Sequence, residues 1–554
     1  MTCEVQTKFL VVGAGPAGLA LASFLGQNGL NGLVIAKAAT TADTPRAHIF
    51  NPFAFECLRD IGIEDQGLQH AVRGRTLQAM RWARSMAGEE YGKVLGFSEH
   101  PSCIGHTHGI TPSEYAELSQ SELEPILLRY ASHHSFHVRF STELVDVAQF
   151  TDDTGKHEYI CTIQDLISHG TWKIRTQYLF GADGARSNIA RSLDFKFISK
   201  PSSGKACNVL LRADLAHLMS KERHAALHWI LKPDRTTFRG MVGHLRMVRP
   251  WNLWVMVAFG PHGTNPFEGF TAERPELVDA VRDLIGDDSA DIEILRVDSW
   301  AVRESVAEQY SLGGQNAFLL GDAAHRHPPA YGLGSNTCVQ DAYNLAWKVA
   351  YVSKGLAGPR LLEPYTKERQ PVGAMLATRE AFSGNTGGGG LSRKSAQRHG
   401  ACRGGAAELG CGLQSMAGAG RNPIVDVEIS TYPGSRLPHA WLDIPIRGKM
   451  ISTQDLAGKG AFCLLIGIGG DAWRQAATTI TCATGIPINV YGIGYGLEYR
   501  DVHRDWHAAR GVEETGCVLI RPDRFVAWRS TKLVPDCEGK LFHVLNTILS
   551  RDEL

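Results

Sequence analysis

The stretch "FLLGDAAHRHPPAYGLGSN" runs from Phe318 to Asn336. Its apolar start reads as a buried strand that ends on Gly321 and Asp322. Pro328 and Pro329 stiffen the segment that follows. Gly334, Ser335 and Asn336 then open a helix that continues as "VQDAYNLAWKVAYV". A strand with this ending usually meets a ligand there, because parallel sheets present their crevices at the carboxyl ends of the strands.

Two distant stretches end in the same way. "FLVVGAGPAGLALASFLGQNGL" (Phe9–Leu30) is a strand, then Gly13-x-Gly15-x-x-Gly18, then a helix. Gly13 permits a tight turn, Gly15 lets backbone approach a pyrophosphate, and Gly18 lets the helix pack on the strand. "YLFGADGARSNIARSL" (Tyr178–Leu193) ends on Gly181, Ala182, Asp183 and Gly184. A plain pyridine-nucleotide dehydrogenase needs the first signal and has no use for the other two. One feature departs from the dinucleotide pattern. The strand "GLVIAK" ends on Ala36 and Lys37, where an acid is expected to hold the adenosine ribose.

Composition narrows the field. Hydrophobic residues make up 44% of the 554 and charged residues 21%, as in a globular protein of two to four domains. Lys+Arg and Asp+Glu both number 57, so there is no basic footprint for nucleic acid. No apolar run is long enough for a membrane span. The start of the chain leads straight into a strand, leaving no room for a signal peptide, and the final "RDEL" is expected to be coincidental. The 12 cysteines are scattered, with no C-x-x-C pair, which points to reduced thiols and a cytoplasmic protein.

The trio of strand ends resembles the FAD-dependent aromatic hydroxylases, the single-component flavoprotein monooxygenases, and within them the phenol and chlorophenol hydroxylase branch. The resemblance implies an α/β fold. A discontinuous Rossmann-like FAD-binding domain would comprise 1–80, 111–198 and 301–383. A β-sheet substrate domain would comprise 81–110 and 199–300, where apolar and polar residues alternate. A Gly-rich linker would span 384–422, and a thioredoxin-like C-terminal domain 423–554, serving assembly and making a homodimer plausible. It carries no thiol redox pair. "PYTKERQPVGAMLATREAF" (364–382) reads as a helix bent or broken at Pro371, and Arg521 and Arg529 as solvated strand-end charges.

The same resemblance assigns cofactor contacts. Gly13, Gly15, Gly18 and Arg46 would meet the FAD pyrophosphate, and Gln120 the region near the ribityl chain. Asp183 and Gly184 would form a turn touching FAD and NADPH. Gly321 and Asp322 would hold the ribityl hydroxyls, Pro328 and Pro329 would flank the flavin ring, and the amides of Gly334, Ser335 and Asn336 would face its pyrimidine end.

The implied reaction uses NADPH or NADH to reduce FAD. Dioxygen adds, and the flavin hydroperoxide passes one oxygen to a phenolic or aromatic polyketide-type ring. Removing the phenolic proton enriches the ring, so a base near the flavin is expected. His48 is the first candidate, against a histidine that only bonds backbone in the crevice. Tyr331 is a second candidate for contact with substrate. His325 and His327 read as structural, and no metal site is expected. His228, Trp229, Trp254 and Met256 are candidate pocket residues, but alternation does not say which face is inward. A Baeyer–Villiger ring-opening enzyme and a non-catalytic nucleotide-binding scaffold stand as alternatives.

Overall fold

The computed structural model describes residues 4–74, 79–94, 109–151, 157–202, 204–220, 222–234, 237–327, 332–378, 429–444 and 449–551. The expected linker over 384–422 lies outside them.

Five parallel strands form the first layer. Their order is Phe136–Arg139, Gly32–Ile35, Glu4–Val12, Thr171–Gly181 and Ala317–Leu319. The antiparallel pair His157–Asp165 and Thr142–Thr151 extends this sheet from Thr171–Gly181. Val12 pairs with Gly181, and Gly181 with Leu319, so the three glycine-rich ends emerge side by side. The apolar runs are continuous because both faces are covered, as parallel sheets require. The Pro16–Gln27 helix is buried along most of its length, and so is the Gly334–Ser353 helix.

A second, mostly antiparallel sheet lies beside the first. Its order is Glu293–Val302, Gly204–Arg212, Leu253–Phe259, Val242–Arg249, Leu227–Ile230, Met80–Ala83 and Glu90–Val94. One face carries Val209, Leu211, Leu245, Met247, Trp254 and Met256, packed with Leu277, Val281 and Leu284 of the amphipathic Pro275–Ile285 helix. The opposite face, on which the Pro275–Ile285 helix does not pack, is the open face and carries His244, Arg246 and Trp229, all half-buried.

The C-terminal unit is thioredoxin-like. Strands Phe462–Ile466 and Ile488–Gly492 are parallel and joined through the Asp471–Thr484 helix. Cys517–Ile520 and Val526–Ser530 follow antiparallel. Its Phe462 meets Trp347 and Tyr351 of the Gly334–Ser353 helix edge-on.

Ion pairs fasten this unit to the first layer. Arg524 pairs with Asp60 at 3.0 Å, Arg59 with Asp455 at 2.5 Å, and Arg436 with Glu56. The expectation for Arg521 is corrected here. It is not a solvated charge, since it binds Glu368 and Asp523, each at 2.5 Å. Arg529 is not simply solvated either, because it donates to Thr431 and lies over the Tyr432 ring. Of the bend or break expected at Pro371, the break does not occur: one helix runs over Pro364–Thr378 with the proline inside it. Buried Tyr365 and Leu376, with the Arg369–Asp341 ion pair, hold it together across the proline. Among the described residues no helix is long and apolar enough to cross a membrane.

Candidate active site

The parallel strand ends form a crevice with glycines at its wall. Gly13 sits at φ +111°, and a side chain there would overlap the Ala182 carbonyl. One at Gly18 would overlap the Gly13 carbonyl. At Gly15 the space is open, the nearest atom being Glu124 Oε1 at 3.9 Å. The loop is therefore tight on its protein side and free on its crevice side. Gly15 caps the Pro16–Gln27 helix, whose first-turn amides lack intrahelical partners.

Asp183 follows the neighbouring strand, with Gly184 next to it opening a short 3-10 turn. Asp183 Oδ2 accepts from the Asn188 amide at 2.6 Å, while its Oδ1 is buried without a partner among the described residues. Burial pushes this carboxyl up.

At the third strand end, Gly321 has φ +55°, and a β-carbon would crowd Cys338 and Ala17. Its amide donates to Asp341 Oδ2 at 3.1 Å. Asp341 also binds His325 at 2.8 Å and Arg369 at 2.7 Å. Burial alone would raise Asp341, but the Arg369 charge and His325 hold it below the usual carboxylate range. Both oxygens of this buried carboxylate are thus spent on fixing the turn, which leaves the exposed Asp322 beside it to face a ligand.

The loop 43–51 closes the crevice toward the second sheet. The Arg46 carbonyl accepts the Gln120 amide at 2.9 Å. The Gln120 side chain donates to Glu124 at 2.6 Å. Asn336 is fully buried, accepts the Asn51 amide and donates to the carbonyls of Ile49 and Gly332, each at 2.8 Å. Its side chain therefore binds this loop, and only its backbone, with Gly334 and buried Ser335, stands at the helix start. The Arg46 side chain is over half exposed, with Nη2 3.9 Å from Asp298 of the second sheet. The loop thus gathers Arg46, His48, Gln120 and Asn336 in one place. Tyr331, Pro328 and Pro329 lie outside the described residues.

His48 faces Arg246 and His244. Burial, then the Arg246 charge and His244, hold its imidazole well below the usual histidine range, so it is neutral at pH 7. Arg246 binds Glu117 Oε1 at 2.7 Å. Glu117 arrives there because the short strand Ala116–Glu117 pairs with Ile49–Phe50. His48, Glu117 and Ser119 also line a cavity of about 410 Å³, together with Arg73, Glu122 and Arg249.

Comparisons with known proteins show the family. The chain matches the FAD binding domain family over residues 6–380 and the aromatic-ring hydroxylase C-terminal family over residues 430–551. It is a member of the FAD-dependent aromatic-ring hydroxylases. It is 33% identical to 2,4-dichlorophenol 6-monooxygenase of Cupriavidus pinatubonensis, covering 100% of this chain and 98% of that protein. It is 35% identical to phenol 2-monooxygenase of a Pseudomonas species, covering 98% and 93%. Among solved structures it is similar to the flavin-dependent monooxygenase PieE in complex with FAD and substrate, with TM-score 0.88, 32% identity and 99% of both chains covered.

The crevice of this hydroxylase fits FAD on its own features. Gly15 is open for a pyrophosphate, Asp183 Oδ1 is an orphaned acceptor, and Asp322 is an exposed carboxylate at the right strand end. The departure at Ala36 stands. Lys37 is tied to Glu143 at 2.8 Å, which occupies the one cation that hinted at a 2′-phosphate.

Several functional candidates were missed or misjudged in the sequence. Of the four sheet residues weighed, only Trp229 is on the face opposite the packed helix, its ring tilted by 56° against His244 at 4.4 Å between centroids. His228, Trp254 and Met256 are on the packed face and fully buried. His244 and Arg246 were not singled out, although their i, i+2 spacing in "VGHLRMVR" puts both on one face.

Buried neutral histidines give the hydroxylase an acid-sensitive fold. Burial, then the Arg81 charge, push His228 down to about 3, and His244 is likewise pushed to about 3. The unfolded imidazole titrates near 6.5. Between these values the unfolded chain binds more protons, so stability falls as pH drops through 6.5 toward 3. For fully buried His228 the slope approaches ~1.4 kcal/mol per pH unit. The urea midpoint should therefore fall between about pH 7 and about pH 5, and a midpoint constant over that range would contradict neutral burial.

Proposed function

We propose that this hydroxylase adds one oxygen atom to the ring of a phenolic substrate, either a simple phenol or an aromatic polyketide-type phenol, at the expense of NADPH or NADH and dioxygen. The placement of His48, between the strand-end crevice and the open face of the second sheet, carries this reading. The division into the FAD-binding, substrate and C-terminal domains is kept with the boundaries given above. The mostly buried, unpaired cysteines support a reducing, cytoplasmic setting, and a homodimer through the C-terminal unit is part of the reading.

FAD, when bound, supplies the redox and oxygen-transfer chemistry. The residues do the rest. The open loop at Gly13, Gly15 and Gly18 receives the pyrophosphate with the dipole of the Pro16–Gln27 helix behind it, and Arg46 adds charge. Asp183 and Gly184 form the adjoining wall, and Gln120 stands beside Arg46. Asp322 would hold the ribityl hydroxyls. The amides of Gly334, Ser335 and Asn336 supply positive potential at the pyrimidine end. Tyr331 remains a candidate for substrate contact.

His48 accepts the phenolic proton. Held neutral, His48 keeps its ring nitrogen unprotonated as pH falls through 6.5, while the same shift makes it a weaker base than a free imidazole. Turnover limited by this group should show no loss through that value. His48→Ala and His48→Asn should keep bound flavin and lower substrate-stimulated turnover on the order of 100-fold. A loss within a few-fold across pH would remove His48 from the chemistry. The reading as a whole is tested by NAD(P)H oxidation with a panel of phenols and aryl ketones. Stimulation by phenols with a ring-hydroxylated product is expected, and a ring-opened product or no stimulation would refute it.

A further inference from the structure

We propose that Arg246, held in place by Glu117, is a catalytic residue that binds the substrate's phenolic oxygen as the phenolate. The proposal rests on the hydroxylase reading above and deepens it at the same site.

Three buried polar atoms meet in this corner without hydrogen-bond partners among the described residues: Arg246 Nε, Glu117 Oε2 and His244 Nδ1. They come from two segments far apart in sequence, and His48 from a third joins them. Each unpaired buried group costs roughly 1–3 kcal/mol, and natural folds leave few of them. Three in one place, at the open face of a sheet beside a crevice, mark a site built for a polar ligand.

The charge arrangement says which ligand. Glu117 uses one oxygen on Arg246 Nη2 at 2.7 Å, with the two side chains only 8% and 12% exposed. That bond fixes the guanidinium but leaves the Nε–H donor free. A free guanidinium N–H takes an anionic oxygen in a charge-assisted hydrogen bond. His48 and His244 beside it are neutral, so they add no second positive charge that would draw the anion away from Arg246. The aromatic wall of Trp229, His244 and Phe259 fits a ring attached to that oxygen.

The proton balance closes within the site. The phenol O–H bond breaks and its proton moves to a His48 ring nitrogen, while the electron pair stays on oxygen opposite Arg246. Before transfer the charges are Arg246 positive and Glu117 negative. After it, imidazolium and phenolate are added as a second pair. The phenolate offsets the charge of Arg246 that otherwise discourages protonation of His48, so the two groups titrate together.

The probe is 4-nitrophenol, whose ionisation is visible by absorbance, bound to the FAD-loaded protein. The parent should bind the phenolate form and shift the probe's ionisation at least about 10-fold toward phenolate, or ~1 pH unit. Arg246→Gln should abolish that shift. Glu117→Gln, which frees the guanidinium of its counter-ion, should move it further in the parent's direction, a gain that mere structural damage would not give. Should Arg246→Gln fail to fold because Glu117 is left alone, the double variant Arg246→Gln/Glu117→Gln removes that strain and should also lack the shift. An equal shift in the Arg246 variants, a smaller shift in Glu117→Gln, or failure of the parent to bind the ionised probe overturns the proposal. If the parent fails in this way yet still hydroxylates phenols, only the role of Arg246 falls. If no phenol stimulates NAD(P)H oxidation, the hydroxylase reading falls with it.

Discussion

Asp322→Ala should purify largely free of flavin. The carboxylate follows a turn that Asp341, His325 and Arg369 lock in place. On the proposed reading, removing it would take away two charge-assisted hydrogen bonds to sugar hydroxyls without disturbing that anchor. At roughly 1.5–3 kcal/mol for each bond to a charged group, the FAD dissociation constant should rise on the order of 100-fold or more. Equilibrium titration of apoprotein with FAD, followed by flavin fluorescence, measures this directly. Asp322→Asn should fall between the two, keeping an acceptor but losing the charge. Stoichiometric FAD retained by the alanine variant would remove Asp322 from the cofactor site.

Arg524→Ala should destabilise the whole molecule. The side chain is almost fully buried and binds Asp60 at 3.0 Å, the Glu56 carbonyl at 2.8 Å and the Ala457 carbonyl at 3.3 Å. Among the described residues, Asp60 would be left buried with the Lys459 amide and Gln27 as partners. Breaking one side of a buried pair costs about 3–5 kcal/mol. Denaturant unfolding should show that loss. The Pro52–Asp60 helix begins directly after the His48–Asn51 loop, so flavin content should drop in parallel. Stability equal to the parent would mean that the C-terminal unit is not latched through this contact.

The three strand ends were legible in the sequence because their signals are local. A glycine at the end of an apolar run marks a strand that turns sharply, as Gly13 at φ +111° and Gly321 at φ +55° do, before any partner segment is known. The crevice follows from such signals, and FAD from the family resemblance that they carry. The open face of the second sheet was not legible. His228 and Trp229 are adjacent and alternate equally well, and only the Pro275–Ile285 helix, packed on one side, decides that Trp229 faces out. Glu117 and Arg246 are far apart in sequence and meet only because a two-residue strand pairs with Ile49–Phe50. Arg521 was misread for the same reason, since Glu368 reaches it across the interface with the C-terminal unit. Charge pairs between distant segments leave no periodic trace in a single sequence.

The mass and ring structure of the product formed from a phenol under isotopically labelled dioxygen test the central claim most directly. The account predicts a yellow protein that gives an intact ring bearing one labelled oxygen as a new hydroxyl. A ring-opened product would contradict it, as would a protein that remains colourless after reconstitution with FAD.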